Sequence, residues 1–174
     1  MSATRGAPAD VVRTPEAAPP AGFDAVIALP FGPFGIRARD GAVRELVFLP
    51  PGTPLQVPRN ATAGAAAHAL REWIDDPELP FPLPLTSVGT PFRQRVWAAI
   101  SAIPRGRTAT YGALAAQLGS APRAVGQACG ANPFPLLVPC HRVTASTGLG
   151  GFANARAGWL LEVKRWLLAF EGAL

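Results

Sequence analysis

Residues 110–131 read TYGALAAQLGSAPRAVGQACGA, and this stretch decides how the second half of the chain folds. Thr110 carries a side-chain oxygen able to cap a helix that begins at Tyr111, and Gly119 is suited to the left-handed turn that ends one. Ser120 to Pro122 make a tight connection, after which RAVGQACGA predicts a second short helix. Two helices joined this closely predict a helix-turn-helix, the second being the recognition helix. Its only long polar side chains are Arg123 and Gln127; Ala124, Gly126 and their neighbours are small. Dense hydrogen bonding to base edges is therefore not expected. Small side chains permit close approach of the backbone, so such a helix is expected to read DNA shape and phosphates.

Working outward, Thr90 and Pro91 open the segment PFRQRVWAAISAI, in which Phe92, Val96, Trp97 and Ile100 share an apolar side. The following IPRGR breaks it. Residues 77–85 hold Pro77, Pro80, Pro82 and Pro84, a composition that cannot continue a helix and predicts a connector. Before it, residues 63–76 (AGAAAHALREWIDD) have a helical pattern in which His68 is expected at the helix surface or the core edge. Residues 23–50 (FDAVIALPFGPFGIRARDGAVRELVFLP) alternate in short runs divided by Gly-Pro and Asp40-Gly41, which predicts a strand meander with a hairpin turn. Residues 1–22 are rich in Ala and Pro and predict a flexible extension. The expected chain is α/β, of the α+β kind. A small N-terminal sheet domain with a helix spans residues 23–85, and a mainly helical, winged-helix-like domain spans 86–174.

The 174 residues are 49% apolar, which suits a globular protein. No apolar run approaches the roughly 20 residues that span a bilayer, and no secretory leader pattern is visible. A cytoplasmic location, nucleoid-associated when DNA is bound, is expected. Cys129 and Cys140 are the only cysteines, too few for a disulfide framework or, with two distant histidines, for a metal site. The formal charge of +5 is uneven: residues 1–85 carry seven Arg against nine acids, and residues 86–174 carry eight Arg and one Lys against Glu162 and Glu171. A phosphate-binding surface is expected in the second half.

The chemistry concentrates in residues 131–143, ANPFPLLVPCHRV. The apolar run from Phe134 to Val138 predicts a strand that delivers Cys140, stiffened by Pro135 and Pro139, with His141 next. Thiolate, not thiol, is the attacking species, so a cysteine of ordinary pKa needs a base. Imidazole can serve, with a carboxylate on its other nitrogen to fix the tautomer. Neighbouring side chains on a strand point to opposite faces, so His141 can reach Cys140 only if the chain turns there or a water joins them. If the last helix packs through Leu160, Val163, Trp166, Leu167 and Phe170, Glu171 falls beside the core and Glu162 nearer solvent. Glu171 is the expected third member. A free cysteine is more often a core filler than a nucleophile, and Cys129 keeps that structural reading.

Pro139-Cys140-His141-Arg142-Val143 after Gly130-Ala131-Asn132-Pro133 resembles the reactive centre of the O6-alkylguanine-DNA alkyltransferases. The likeness extends through TPFRQRVWAAISAIPRGRTATYGALAAQLG, PRAVGQACGANP and LLEVKRWLLAFEG, covering about residues 86–174. It implies a monomeric DNA repair protein that flips O6-alkylguanine out of double-stranded DNA and transfers the alkyl group irreversibly to itself. One turnover per molecule, no cofactor and no obligate protein partner are implied as well. By the same resemblance Cys140 is the acceptor, His141 the water-mediated base and Glu171 its orienting carboxylate. Asn132 braces the reactive segment, Tyr111 crowds the phosphate and is a candidate proton donor, and Arg123 fills the vacated stack. Ala124, Gly126 and Gln127 lie with it on the DNA-binding helix. Pro139, Val143 and Phe152 belong to the substrate pocket, the carbonyls of Cys140 and Val143 accepting from the guanine amino group. Two departures stand out: the loop GLGGFANARAGW is longer than usual, and Phe152 stands where a tyrosine is common. A noncatalytic damage sensor, a helix-turn-helix transcription factor and a cysteine hydrolase are the rival readings. The first is opposed by the cysteine with its apparent His and Glu support, the second by the small-residue recognition helix, the third by the lack of an identifiable oxyanion site.

Overall fold

The computed structural model describes residues 22–86 and 88–174; the extension expected over residues 1–22 lies, but for Gly22, outside them. Three antiparallel strands, β1 (Ala25–Leu29), β2 (Gly32–Arg39) and β3 (Ala42–Phe48), form a meander in chain order. Asp40 and Gly41, both at positive φ (53° and 78°), make the two-residue β2–β3 turn, whose twist matches that of the strands. The Gly32-Pro33 pair, expected to divide strands, instead begins β2; Pro30 and Phe31 make the first turn. Helix α1 (Ala61–Asp75), capped by the Asn60 side chain on the Ala63 N–H, packs on this sheet through Ala63, Ala66, Ala67, Leu70 and Trp73. His68 lies on its exposed side, 3.3 Å from Glu72.

The proline-dense connector is tied down: Val43 N–H donates to the Pro84 carbonyl and Thr86 N–H to that of Val43. Helix α2 (Pro91–Ser101) starts at the Thr90 cap and buries Val96, Trp97 and Ile100. Helix α3 (Tyr111–Leu118) starts at the Thr110 cap and ends at Gly119, whose φ of 63° and ψ of 41° suit a residue without Cβ. Helix α4 (Pro122–Gly130) follows after two residues, completing the helix-turn-helix. The Trp97 indole N–H donates to the Ala128 carbonyl at 2.8 Å, fixing α4 against α2. Short parallel strands β4 (Ala109–Thr110) and β5 (Val143–Thr144) join the start of α3 to the chain leaving the reactive segment. Helix α5 (Trp159–Phe170) closes the fold.

Two expectations change. Phe134 to Val138 is not a strand: Val138 N–H bonds back to the Phe134 carbonyl and Leu136 takes a φ of 75°, so prolines at 133, 135 and 139 wind the run into a turn. Helix α5 buries Val163 and Leu167 as expected, but also Lys164 and Leu168, whereas Leu160, Trp166 and Phe170 are half-buried. The apolar stripe is thus rotated toward the 164 side.

Both halves contribute to one apolar core. Phe31 meets Trp166 with ring centroids 5.6 Å apart, and Phe48 meets Phe152 at 5.1 Å. Leu46 N–H donates to the Pro133 carbonyl at 2.8 Å, so the sheet buttresses the entry to the reactive segment. Phe48, buried among Phe31, Phe34 and Phe152, couples sheet stability to the loop above it. Phe48→Ala is expected to cost about 3–5 kcal/mol in urea unfolding; a loss below about 1 kcal/mol would show that the two halves are not cooperatively joined.

Candidate active site

Cys140, His141 and Arg142 form one turn of 3-10 helix, so the chain does bend where an extended strand would have separated the first two side chains. Cys140 is 5% exposed and lies on a cleft of about 830 Å³. Tyr111 of α3, Arg123, Gly126, Gln127 and Cys129 of α4, and residues 151–156 line the same cleft. His141 is fully buried. Its Nε2 lies 2.9 Å from Glu171 Oε1. Burial lowers the His141 pKa against the opposing pull of Glu171, so the ring is neutral near neutral pH. A carboxylate only accepts, so Nε2 carries the proton and Nδ1 is left as the base. Among the described residues Nδ1 has no hydrogen-bond partner.

Glu171 caps α5 and its carboxylate is inaccessible to solvent. Arg142 grips it bidentately, Nε to Oε2 and Nη2 to Oε1, each at 2.9 Å, and its Nη1 donates to the Ile103 carbonyl at 2.7 Å. Burial alone would raise the Glu171 pKa; the hydrogen bonds from His141 and Arg142, with the Arg142 charge, outweigh it and hold the group at about 2. Asn132 donates from Nδ2 to the Val138 carbonyl and accepts the Phe134 N–H at Oδ1, bracing the turn that leads to Cys140.

Burial pushes the Cys140 pKa up, while a hydrogen bond from Asn132 and the charge of Lys164 pull the other way. The resting thiol therefore keeps its proton, and nucleophilicity has to come from a base at the moment of attack. Cys129, on the same cleft, is pushed up to about 12 by burial and then by Cys140. Burial likewise raises Tyr111, whose hydroxyl donates to the Gly151 carbonyl at 3.0 Å.

Sequence reasoning missed Arg142 and Lys164. Lys164, the only lysine, is fully buried and gives its three protons to the carbonyls of Val143, Leu149 and Gly151 at 2.7, 2.7 and 2.8 Å. Burial lowers its pKa to about 8, which leaves it mostly charged at neutral pH. A lone lysine beside Val163 and four residues from Leu160 and Leu168 was the available signal. Of the residues expected in the substrate pocket, Phe152 lines the cleft, and Pro139 and Val143 are buried outside its lining; Ala124, expected on the DNA-binding helix, is half-buried on α4. The Val143 carbonyl accepts from Lys164 and that of Cys140 from the Val143 N–H, because the 3-10 turn and the buried ammonium use them.

A helix-turn-helix beside a cleft that holds a buried Cys, backed by a His–Glu pair, defines a DNA-binding domain equipped for thiol chemistry. The family described as "6-O-methylguanine DNA methyltransferase, DNA binding domain" matches residues 91–173. A Thermus thermophilus protein called a DNA base-flipping protein is 41% identical over 154 residues, covering 83% of this chain and 97% of its own. The methylated-DNA–protein-cysteine methyltransferase of Salmonella typhimurium is 52% identical over 89 residues, about half of each chain. The Mycobacterium tuberculosis O6-methylguanine methyltransferase structure superposes with a TM-score of 0.65 at 32% identity, covering 85% of this chain and 91% of that one. The same organism's OGT in complex with DNA gives 0.65 at 33%, covering 84% and 90%. The chain belongs to the O6-alkylguanine-DNA alkyltransferase family, and its partner is DNA.

The buried charges make acid stability the accessible readout. Glu171 has a folded pKa of about 2 against an ordinary 4.5, so its stabilisation is present above pH 4.5 and is lost as pH falls toward 2. The lowered His141 pKa adds a loss that begins below its ordinary 6.5. Glu171→Gln is expected to cost about 3–5 kcal/mol near neutrality by leaving Arg142 unpaired. It should also flatten the stability profile between pH 4.5 and 2; chemical denaturation across pH checks both, and an unchanged acid limb would remove Glu171 from the account.

Proposed function

We propose that the chain repairs O6-alkylguanine, chiefly O6-methylguanine, in duplex DNA by moving the alkyl group irreversibly to Cys140. The observation that carries this reading is Cys140 at the cleft, one residue from a neutral buried His141 whose Nε2 is bound to Glu171 and whose Nδ1 is free to accept. The base must leave the stack to reach the thiol. Arg123, exposed near the start of α4, fills the vacated space, with Gln127 and the small Ala124 and Gly126 allowing α4 to sit close to the groove. Tyr111 holds the adjoining phosphate aside.

The Cys140 proton passes to His141 Nδ1, directly or through a water, and the imidazolium is stabilised by Glu171. The sulfur attacks the alkyl carbon; the S–C bond forms as the C–O6 bond breaks, and its electron pair stays on guanine. Tyr111 donates a proton to guanine and is restored by the proton held on His141, passed back through solvent, so the net change moves one proton from thiol to guanine. Atoms balance without a cofactor. A thioether has no hydrolytic route back, so each molecule acts once. Phe152, buried beside the cleft, supplies an apolar wall without a hydroxyl. The protein works as a monomer in the cytoplasm, on the nucleoid; among the described residues no helix is long and apolar enough to cross a membrane.

The likeness to the Thermus base-flipping protein favours a second reading, in which the lesion is flipped and held without transfer. Cys140→Ala separates the two. With wild-type protein, lesion loss from DNA should plateau at one per molecule; the variant should bind lesion duplex with similar affinity and remove none. Equal lesion removal by Cys140→Ala would overturn the assignment. Arg123→Ala should lower the removal rate at least about tenfold by weakening extrusion, an effect of over 1.4 kcal/mol; an unchanged rate would reject the insertion role.

A further inference from the structure

The loop between the reactive turn and α5 carries a group that the transfer chemistry does not use. Phe152 and Ala155 exchange both backbone hydrogen bonds, at 2.9 and 2.8 Å, around Ala153 and Asn154, which take φ of 48° and 65°. Two consecutive positive φ values in a two-residue connection make a tight hairpin with little freedom. It is anchored on both sides. The Phe152 ring packs on Phe48 in the core, and Asn154 Nδ2 donates to the Gly130 carbonyl at the end of α4 at 3.0 Å. Gly130 is what permits this latch, since a Cβ there would collide with the Asn154 amide. Arg156 follows directly, exposed and on the cleft. Arg123 lines the same cleft from α4. Among the described residues neither guanidinium has an ion-pair partner, although six other arginine and histidine side chains are paired with acids. Two unpaired like charges held on one cleft by stiff elements are complementary to an anion between them.

We propose that Arg156 contacts a backbone phosphate of the lesion-bearing strand beside the extruded nucleotide, making the latched 152–156 hairpin a second DNA-binding wall opposite α4. The inference rests on the repair reading above and gives the lengthened loop its purpose. Arg123 enters the stack, and Arg156 holds the strand that has been opened. A guanidinium suits this task because its planar fork can bridge two phosphate oxygens.

The test is polarisation titration of labelled duplex carrying one O6-methylguanine, across a salt series, with wild type, Arg156→Ala and Arg156→Lys. Removing one phosphate contact should make the slope of log K against log salt shallower by about 0.9, and Kd should rise on the order of tenfold at low salt. Arg156→Lys should restore the slope. An unchanged slope in Arg156→Ala, or a loss confined to the transfer rate at saturating DNA, would overturn the proposal. Should wild type bind the duplex and leave the lesion intact, the transfer reading fails while the slope comparison still decides this one.

Discussion

The reactive turn depends on one buried carboxylate. Glu171 receives Nε2 of His141 and two donors of Arg142, so the end of the last helix holds two successive residues of the 3-10 turn that begins at Cys140. A single-turn helix has little stability of its own. Here it is fixed from outside, by Glu171 on one side and by the Asn132 brace on Val138 and Phe134 on the other. The same carboxylate selects the histidine tautomer that leaves Nδ1 able to accept a proton. Structure and chemistry thus share a constraint: loosening the ion cluster would release the turn and misplace the base together.

Lys164 does for the outgoing chain what Glu171 does for the turn. Its ammonium collects carbonyls from β5 and the glycine-rich loop, and every proton is used. Its positive charge also favours thiolate at Cys140, against the burial that favours thiol. The thiol therefore rests protonated near a cation and a neutral imidazole. For a protein that reacts once, this restraint protects the sulfur from losing its only turnover to another electrophile.

The helix-turn-helix was legible because its signals are local: Thr110 and Gly119 act on the backbone within a turn of themselves, and Thr90 with Pro91 does the same for α2. The grouping of Cys140, His141 and Glu171 was legible as well, from PCHR and the scarcity of acids in the basic half. What escaped were matters of three-dimensional context. A continuous apolar run made Phe134–Val138 look extended, but three prolines and an αL Leu136 override that pattern. The stripe of α5 was read without Lys164 because a lysine scores as polar wherever it stands, and only the convergence of three carbonyls makes it a core residue. Arg142 was visible beside His141, yet nothing local says that it turns toward a carboxylate 29 positions away. Asn154 and Arg156 gain meaning only from the nearness of Gly130 and Arg123.

The central claim is that Cys140, and not the neighbouring Cys129, takes the alkyl group. Intact-protein mass spectrometry after mixing with duplex DNA carrying one O6-methylguanine, followed by peptide mapping, tests it most directly. One added methyl per molecule is expected, saturating at that value and mapped to Cys140. Tight lesion binding with an unmodified protein, or a methyl mapped to Cys129, would contradict it.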